Sequence, residues 1–405
     1  MKILHLNYYD VSGGASIAAY RIHKSLIKES INSQMYVSEK KIKDSSIIQT
    51  NKNYIDKINI RLQRKLHRIN SNKNHDKVSK SYNLFPSFKI KEINSLKADI
   101  INLHWIGNNF LSIKEISKLN APIVWTIHDM WPYCGSEHYT NQKRYIQGYD
   151  KFNNLNNNKT FSIDLDRIVW SKKKRYFKNI HFVATSSWQE RELKKSFLTK
   201  DQKISKIYYP LASHVWKKRN SNKFLLNNKY QKKILFISDR IDNPLKGFSL
   251  IKKIFNKSDR NKYLLIIIGN KNNENFKNLN IDYIFLDKIN DKEKLINIFS
   301  SVDLLLAPSL KESFGIVAQE AAYCNTPSVV FKNTGFEDTV KHKINGYVAE
   351  YNNLKDFKKG ILWCLKDQNL IKISRNSRLI AIRKFNEQKI AKNYIQLYKN
   401  ILNNN

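Results

Sequence analysis

Cysteine is nearly missing from this 405-residue chain: Cys134, Cys324 and Cys364 stand far apart, with no CxxC and no histidine at ligand spacing. Neither a disulfide framework nor a zinc site is expected from such a set. Any apolar run near the roughly 20 residues that a membrane-spanning helix needs is missing too; residues 263–268 form one of the longest, and that is the length of a strand. The opening MKILHLNYYD passes straight into polar residues, without the apolar core and small-residue cleavage site of a secretory signal, so a cytoplasmic protein is expected. Acidic residues are scarce, 34 against 72 Lys+Arg, which gives a formal charge of +38. That field draws polyanions, whether nucleotides, nucleic acid or an anionic membrane face, although heavy use of Lys, Asn and Ile throughout contributes to it.

What is present suffices for folding. With 41% hydrophobic and 12% aromatic residues, the chain can fill two cores of roughly 200 residues each. Short β-type runs at 2–6, 99–104, 122–127 and 181–185, then 233–238, 263–268, 303–307 and 328–331, alternate with helical patterns. Most are continuous apolar runs, as expected of parallel strands buried under helices on both faces. The pattern occurs twice, separated by a polar stretch at about 213–233, and predicts an α/β chain of two Rossmann-like, doubly wound parallel-sheet domains facing a cleft, with ligands at the carboxyl ends of the strands. Residues 1–210 and 211–385 form the expected domains. Residues 386–405, with Ile390, Tyr394, Leu397, Tyr398 and Ile401 at helical spacing, form a closing helix expected to pack back toward the first domain.

Residues 303–320 read DLLLAPSLKESFGIVAQE. A buried strand is expected to end at Ala307, a Pro-Ser turn to follow, and Glu312 to stand just before a helix capped by Ser313. Within FGIVAQEAAYC only Gln319 and Glu320 are polar, and a carboxylate in such a run is costly without partners. About eight residues of helix-like backbone span roughly 12 Å, comparable to the reach from the ribose of a nucleotide-sugar to its hexose. Amides at the helix start, over Ser313, Phe314, Gly315 and Ile316, favour a diphosphate. Glu320 suits the ribose hydroxyls and Glu312 the sugar hydroxyls; the plain alternative is two solvent-facing acids.

In the setting PSLKESFGIVAQEAAYCNTPSVVF, these residues resemble the E-x7-E signature of family 4 retaining glycosyltransferases, which have the two-Rossmann GT-B fold. The similarity continues through Pro327 and Gly335 to Asn345-Gly346-Tyr347-Val348, with Asn325 where the family usually has glycine. The resemblance implies that Glu320 contacts the donor ribose and Glu312 the donor sugar. Upstream, FISDRIDNPLKGFSLI sets Arg240 and Lys246-Gly247 just after a strand. By themselves these are two cations among many, but their similarity to the family's Arg…Lys-Gly element implies that both hold donor phosphates. Fixed cations there would stabilise a departing nucleoside diphosphate without a metal. Asp164-Leu165-Asp166 has D-x-D spacing, but it precedes a Lys-rich helical stretch and reads as a helix cap or a surface acid, so no metal site is expected.

In the first half, Gly13-Gly14 follows the first strand and opens a helix, allowing close backbone approach to a ligand; the G-x-G-x-x-G dinucleotide fingerprint is absent. Here too a family loop is resembled, one lying by the donor phosphates and acceptor. His104 in NLHWIG and His128 in WTIHDMWPYCGSEHY fall at comparable strand ends. Residues 98–107 and 122–133 are similar to a bacterial branch of these transferases that builds surface polysaccharides. That resemblance implies a catalytic role for His128 near donor sugar and acceptor, with Asp129 orienting the loop. His104 is either an acceptor-side residue or a satisfied structural histidine; Trp105 and Trp131 either stack on sugars or pack in the core. The following segment, NQKRYIQGYDKFNNLNNNK, departs from that branch and is expected to shape acceptor choice.

Between residues 55 and 80, Ile58, Leu62, Leu66 and Ile69 recur at helical spacing among Lys57, Arg61, Arg64, Lys65 and Arg68. This is either an interfacial helix on an anionic membrane or an ordinary amphipathic helix over the first core. Lys172-Lys173-Lys174-Arg175 adds basic surface. Together these features predict a retaining, metal-independent transferase of capsule or lipopolysaccharide assembly. Its co-substrate would be a UDP- or GDP-linked sugar and its acceptor a glycan or a lipid-linked one, with no other cofactor and no specific nucleic-acid partner. A two-Rossmann nucleotide-sugar epimerase is the nearest alternative. A basic nucleic-acid-binding protein is a more distant one, because it leaves the Glu motif unexplained.

Overall fold

The computed structural model describes residues 1–50, 54–71, 79–149, 163–219, 230–255, 259, 262–270, 276 and 279–404. Two compact units divide the chain: Met1–Pro210 together with Gln388–Asn405, and Leu211–Glu387.

The first unit carries seven strands, β1 (Lys2–Tyr9), β2 (Asn32–Glu39), β3 (Ile47–Gln49), β4 (Ile100–Leu103), β5 (Ile123–Thr126), β6 (Ile180–Ala184) and β7 (Ile204–Lys206). They form one sheet in the order β3-β2-β1-β4-β5-β6-β7, and every pairing is parallel. Ile3 to Asn7 are completely buried, so β1 is covered on both faces. One face bears Leu4, Leu6, Ile101, Leu103, Trp125 and Phe182, which lie in the main core. The opposite face is polar in the middle, with His5, Asn7, Asn102 and Thr126 all fully buried.

The second unit has a six-stranded sheet of β8 (Lys232–Arg240), β9 (Tyr263–Asn270), β10 (Asp282–Leu286), β11 (Leu304–Ala307), β12 (Ser328–Phe331) and β13 (Gly346–Ala349). Its order is β10-β9-β8-β11-β12-β13, again all parallel. Ile234, Phe236, Leu265, Ile267, Leu304, Leu306, Val329 and Phe331 fill its core. In both sheets the strand order reverses once, at β1/β4 and at β8/β11. Such switch points are where open parallel sheets receive ligands, outside the carboxyl ends of the strands.

Within the polar stretch expected between the domains, Lys232 and Lys233 already belong to β8, and residues 220–229 lie outside the described residues. The helix expected near 55–80 spans Tyr54–Ser71, and residues 72–78 of that stretch also lie outside the described residues. Its buried positions include Asn59 and Gln63, and Leu66 packs on the core, whereas Ile58 is exposed. The inward face is therefore turned about one residue from the expected apolar stripe, because Asn59 reaches Pro86 O at 2.9 Å and draws its own side of the helix inward.

The last helix, Glu387–Asn403, belongs to the first unit from Gln388 onward. It covers the polar face of the sheet with polar groups of its own. Asn102 Nδ2 donates to Tyr398 Oη at 2.8 Å, Thr126 Oγ1 bonds Asn102 Oδ1 at 3.0 Å, and Tyr394 Oη lies 3.3 Å from Thr126 Oγ1. Tyr398→Phe removes the acceptor of a buried amide while keeping the ring. Leaving a buried donor unpaired costs about 1–3 kcal/mol, and urea unfolding of the variant is expected to show a loss in that range.

Candidate active site

In the second unit the site begins with close backbone approaches. β8 runs into the short turn Pro244–Lys246, and Gly247 follows with φ +75°. A Cβ on Gly247 would sit 2.1 Å from Pro308 O, so only glycine lets the turn lie against the strand end at Pro308. Leu310 N donates to Leu245 O at 2.8 Å and fastens the two loops together. The result is a direct contact between two of the expected site residues, with Lys246 Nζ 2.7 Å from Glu312 Oε2. Both side chains keep some exposure, 34% and 14%, so the pair is screened and stays within reach of a ligand.

Ser313 does not cap the following helix. The helix is Ile316–Tyr323 and its cap is Gly315 at φ +89°, which makes no side-chain cap bond. The backbone turns sharply here because Gly315 is pressed on the Phe336 ring, where a Cβ would come within 2.1 Å. From 312 to 315 the chain is thus a turn instead of helix. Gly335 supports it from behind: its N–H donates to Glu312 O at 2.8 Å, and a Cβ there would lie 2.1 Å from Ser313 O. Ile316 is half-buried at the helix start. Phe314 is buried, edge-on to Phe385, so only its backbone is available to a ligand. Glu320 is buried at 8% exposure and is no solvent-facing acid. Arg240, at the exposed end of β8, pairs instead with Asp242 at 3.2 Å. Asn325 sits at φ +65° directly after the helix, with Thr326 N on Ala321 O at 2.9 Å. This left-handed helix end prefers glycine and accepts asparagine next best, which explains the exchange noted in the sequence.

In the first unit Gly13 has φ +84° and ψ 164°, a conformation open to glycine, and a Cβ there would meet nothing within 4 Å. The helix Gly14–Lys28 starts at once, with Ser16 bonded to Asn7 at 3.0 Å. Asp10, which the sequence reading passed over, shapes this loop: its carboxylate accepts from Val11 N at 2.6 Å, Lys41 N at 2.5 Å and Ile42 N at 2.9 Å.

His128 and His104 do meet, but neither offers a free nitrogen. His128 Nε2 lies 2.9 Å from His104 Nδ1, and His128 Nδ1 lies 2.5 Å from Tyr209 Oη. His104 Nε2 continues to His5 Nδ1 at 2.9 Å. His104 is 2% exposed and therefore an internal residue instead of an acceptor contact. Direct substrate contact through a nitrogen of His128 would require breaking one of its two bonds. Asp129 serves the loop: Oδ1 accepts from Trp131 N at 2.9 Å and Oδ2 pairs with His138 Nδ1 at 2.6 Å. Trp131 is 2% exposed and donates to Ser81 O at 2.6 Å, so it is a core aromatic and cannot stack on a sugar. Trp105 is half-buried between Tyr9 and His138, with ring centroids at 6.3 and 5.5 Å.

The basic run 172–175 also differs from expectation, since Lys173 is fully buried. Its ammonium donates to the carbonyls of Trp131, Cys134 and Gly135 and lies 3.7 Å from the Trp131 ring centroid. Burial pushes Lys173 down to about 7, yet three acceptors for three N–H donors suit the charged form. Asp164 caps the helix Leu165–Tyr176, as its place in the sequence suggested, and Asp166 pairs with Lys80 at 2.8 Å. Among the described residues no group of three or more His, Cys, Asp or Glu is arranged to hold a metal ion.

Two outcomes follow. Lys173→Met strips three buried carbonyls of their donor and is expected to lower unfolding free energy by about 3 kcal/mol, read by denaturant titration. Burial holds His5 and His104 well below their usual range and brings His23 and His128 down to about 4. The folded imidazoles are neutral where unfolded ones are charged, so the unfolded chain binds more protons below the free value of about 6.5. Stability is complete above that pH and is lost as pH falls toward about 4. Melting temperatures recorded at pH 7.5 and pH 5 are expected to show a marked drop.

Residues 218–384 match the family model described as glycosyl transferases group 1. An uncharacterized 41.2 kDa protein in the cps region of Klebsiella pneumoniae is 23% identical over 328 residues, 76% of this chain and 81% of that protein. Among solved structures, sucrose-phosphate synthase from Thermosynechococcus elongatus matches with TM-score 0.71 and 16% identity over 100% of both chains. Anabaena HepE in complex with UDP-glucose matches with TM-score 0.65 and 15% identity over 99% of this chain and 100% of that one. At such identities the structures establish the fold, which is GT-B. The family match spans nearly all of the second unit, where the Lys246–Glu312 pair and Glu320 lie, and it is this unit that carries the likeness to the group 1 glycosyltransferases.

Proposed function

We propose that the protein transfers a sugar from a UDP- or GDP-linked donor, with retention of anomeric configuration and without a metal, onto a glycan or lipid-linked acceptor of bacterial surface polysaccharide. The observation that carries this reading is the Lys246–Glu312 pair beside the uncapped start of the Ile316–Tyr323 helix, with Glu320 buried one turn further on. In this reading the donor diphosphate takes over the Lys246 ammonium and the amides of the helix start, where backbone dipoles favour an anion. Glu312, released from Lys246, accepts from sugar hydroxyls, Glu320 accepts from the ribose, and Arg240 supplies a further phosphate contact. The bond from the anomeric carbon to the phosphate oxygen breaks and a bond to the acceptor oxygen forms on the same face. The acceptor's proton passes to the departing phosphate, whose charge the fixed cation and dipoles stabilise.

The Klebsiella relative, from a cps region, supports capsule or lipopolysaccharide assembly as the setting. Gly13 and Gly14 would contribute open backbone, and the first unit would bind the acceptor. Residues 150–159, the part of the divergent segment expected to shape acceptor choice, lie outside the described residues. Exposed Lys57, Arg61, Arg64, Lys65 and Arg68 on one helix support an anionic membrane surface as the place of work.

A panel of nucleotide-sugars, scored by calorimetry and nucleotide release in EDTA, tests the reading. One UDP- or GDP-sugar is expected to bind and turn over with the metal removed. Glu320→Ala, with Glu320→Gln as the shape-matched comparison, is expected to weaken that donor at least tenfold. Lys246→Ala is expected to lower kcat on the order of a hundredfold, the scale of losing one fixed stabiliser of developing charge. Unchanged donor affinity in both Glu320 variants, or activity abolished by EDTA, would sink the assignment.

A further inference from the structure

Across the first sheet runs a single file of four rings. His5 lies on β1, His104 just past β4, His128 just past β5 and Tyr209 just past β7. The links measure 2.9, 2.9 and 2.5 Å, and neighbouring rings are stacked at centroid distances of 5.1, 5.2 and 5.4 Å. The main chain holds the middle of the file, since His104 N donates to Leu6 O at 2.9 Å and Trp125 Nε1 donates to His104 O at 3.0 Å. Asp129, next in sequence to His128, directs its carboxylate to Trp131 N and His138, so other groups set the His128 ring.

Each link between two neutral imidazoles needs one hydrogen, and each neutral ring has one to give. The three rings therefore share a tautomer: either all carry hydrogen on Nδ1 or all carry it on Nε2. The far end decides between them. His5 Nε2 is buried with no hydrogen-bond partner. His23, the next imidazole at 5.7 Å, cannot serve it. Ser46 Oγ donates to Asp44 Oδ1 and so accepts from His23 Nε2 at 2.9 Å, while His23 Nδ1 is taken by Ser33 Oγ at 2.8 Å. With all hydrogens on Nε2, His5 would bury an orphan N–H; with all on Nδ1, it buries only a bare lone pair. Orphan buried donors are the rarer and costlier case.

We propose that His5 and His104 are positioning residues which, through this file, hold His128 in the Nδ1–H tautomer, so that Tyr209 accepts from His128 and directs its own O–H to another acceptor. The ring that the family resemblance singles out thus acts through the Tyr209 hydroxyl. Burial keeps all three rings neutral at physiological pH, as the sharing scheme requires.

Long-range 1H–15N spectra of the 15N-labelled protein at pH 7.5 report each imidazole's tautomer, with signals assigned by their loss in His5→Phe, His104→Phe and His128→Phe. All three rings are expected in the Nδ1–H form. Tyr209→Phe keeps every imidazole and the fourth ring's volume but removes the acceptor. It is expected to move all three rings together toward Nε2–H, including His5, two rings away. With His104→Phe added, His5 should no longer respond to Tyr209→Phe. Unlike tautomers in the wild-type rings, or a His5 signal indifferent to Tyr209→Phe, would overturn the proposal. In turnover, His104→Phe is expected to lower kcat roughly tenfold, the equivalent of about one buried hydrogen bond, with donor KM changed less than twofold. The inference rests on reading the chain as a sugar transferase only for that last measurement. The spectra need no substrate, so absence of transfer would count against the proposed function and leave the file to be judged by its tautomers.

Discussion

A parallel sheet covered on both faces leaves no water for a polar side chain placed on one of its strands, and the first unit is built around that constraint. His5, Asn7, Asn102 and Thr126 are fully buried on a single face. Each must find its partner among neighbours already fixed by strand order and register. Asn7 bonds Ser16 and Trp105 N, Asn102 bonds Thr126 and Tyr398, and His5 bonds His104. These demands account for the closing helix and its two inward tyrosines, and for a helix beginning at Gly14 so close to β1. Polar groups in such a place specify one arrangement, because a slip of any element would strand several of them together.

The second unit solves a different problem, that of bringing charged side chains from two loops to one point. Glycine does this by absence. Gly247 lies against Pro308 O, Gly335 against Ser313 O and Gly315 against Phe336, each at a distance that no Cβ could occupy. Stacked in this way, the loops after β8, β11 and β12 hold Lys246 on Glu312 and leave the next helix without a side-chain cap. Rigid backbone, more than the ion pair, fixes the geometry, since a pair this exposed adds little stability.

Most strands that are continuous apolar runs were legible in the sequence, as was the twofold repeat of the pattern, although β10 (DYIFL) and β13 (GYVA) were not among them. β2, NSQMYVSE, was not legible either, because its polar residues hide a strand that is buried over most of its length. β3 and β7 are three-residue strands at the sheet edges, too short for periodicity to register. In the second unit Glu312, Gly315 and Glu320 could be read as one group because they lie close along the chain, whereas Lys246, 66 residues before Glu312, and Gly247 were joined to them by the family resemblance alone. Ser313 was mistaken for a cap because serine before a helix usually is one, and nothing local announces that Gly335 and Phe336 force the turn onward to Gly315. In the first unit His104 and His128 were legible as strand-end histidines, but their bond was not. They are 24 residues apart, and His5 is 99 from His104. Only the order β1-β4-β5 makes neighbours of them. Lys173 was hidden for a like reason, since one buried lysine in a run of four basic residues has no signature until the carbonyls around it are seen.

The Lys246–Glu312 pair bears on how the site is held before a ligand arrives. An ammonium and a carboxylate set to receive groups of opposite character would, if left apart, each depend on water. Paired, they satisfy one another at 2.7 Å while partly exposed, so neither suffers the full penalty of desolvation. A ligand carrying an anionic group at one end and hydroxyls at the other replaces both halves of the contact at once. A simple anion replaces only one half and leaves the carboxylate without its partner. Discrimination between such ligands then comes from the group left unpaired as much as from the group that binds, which is how a small charged pair distinguishes a compound ligand from either of its parts.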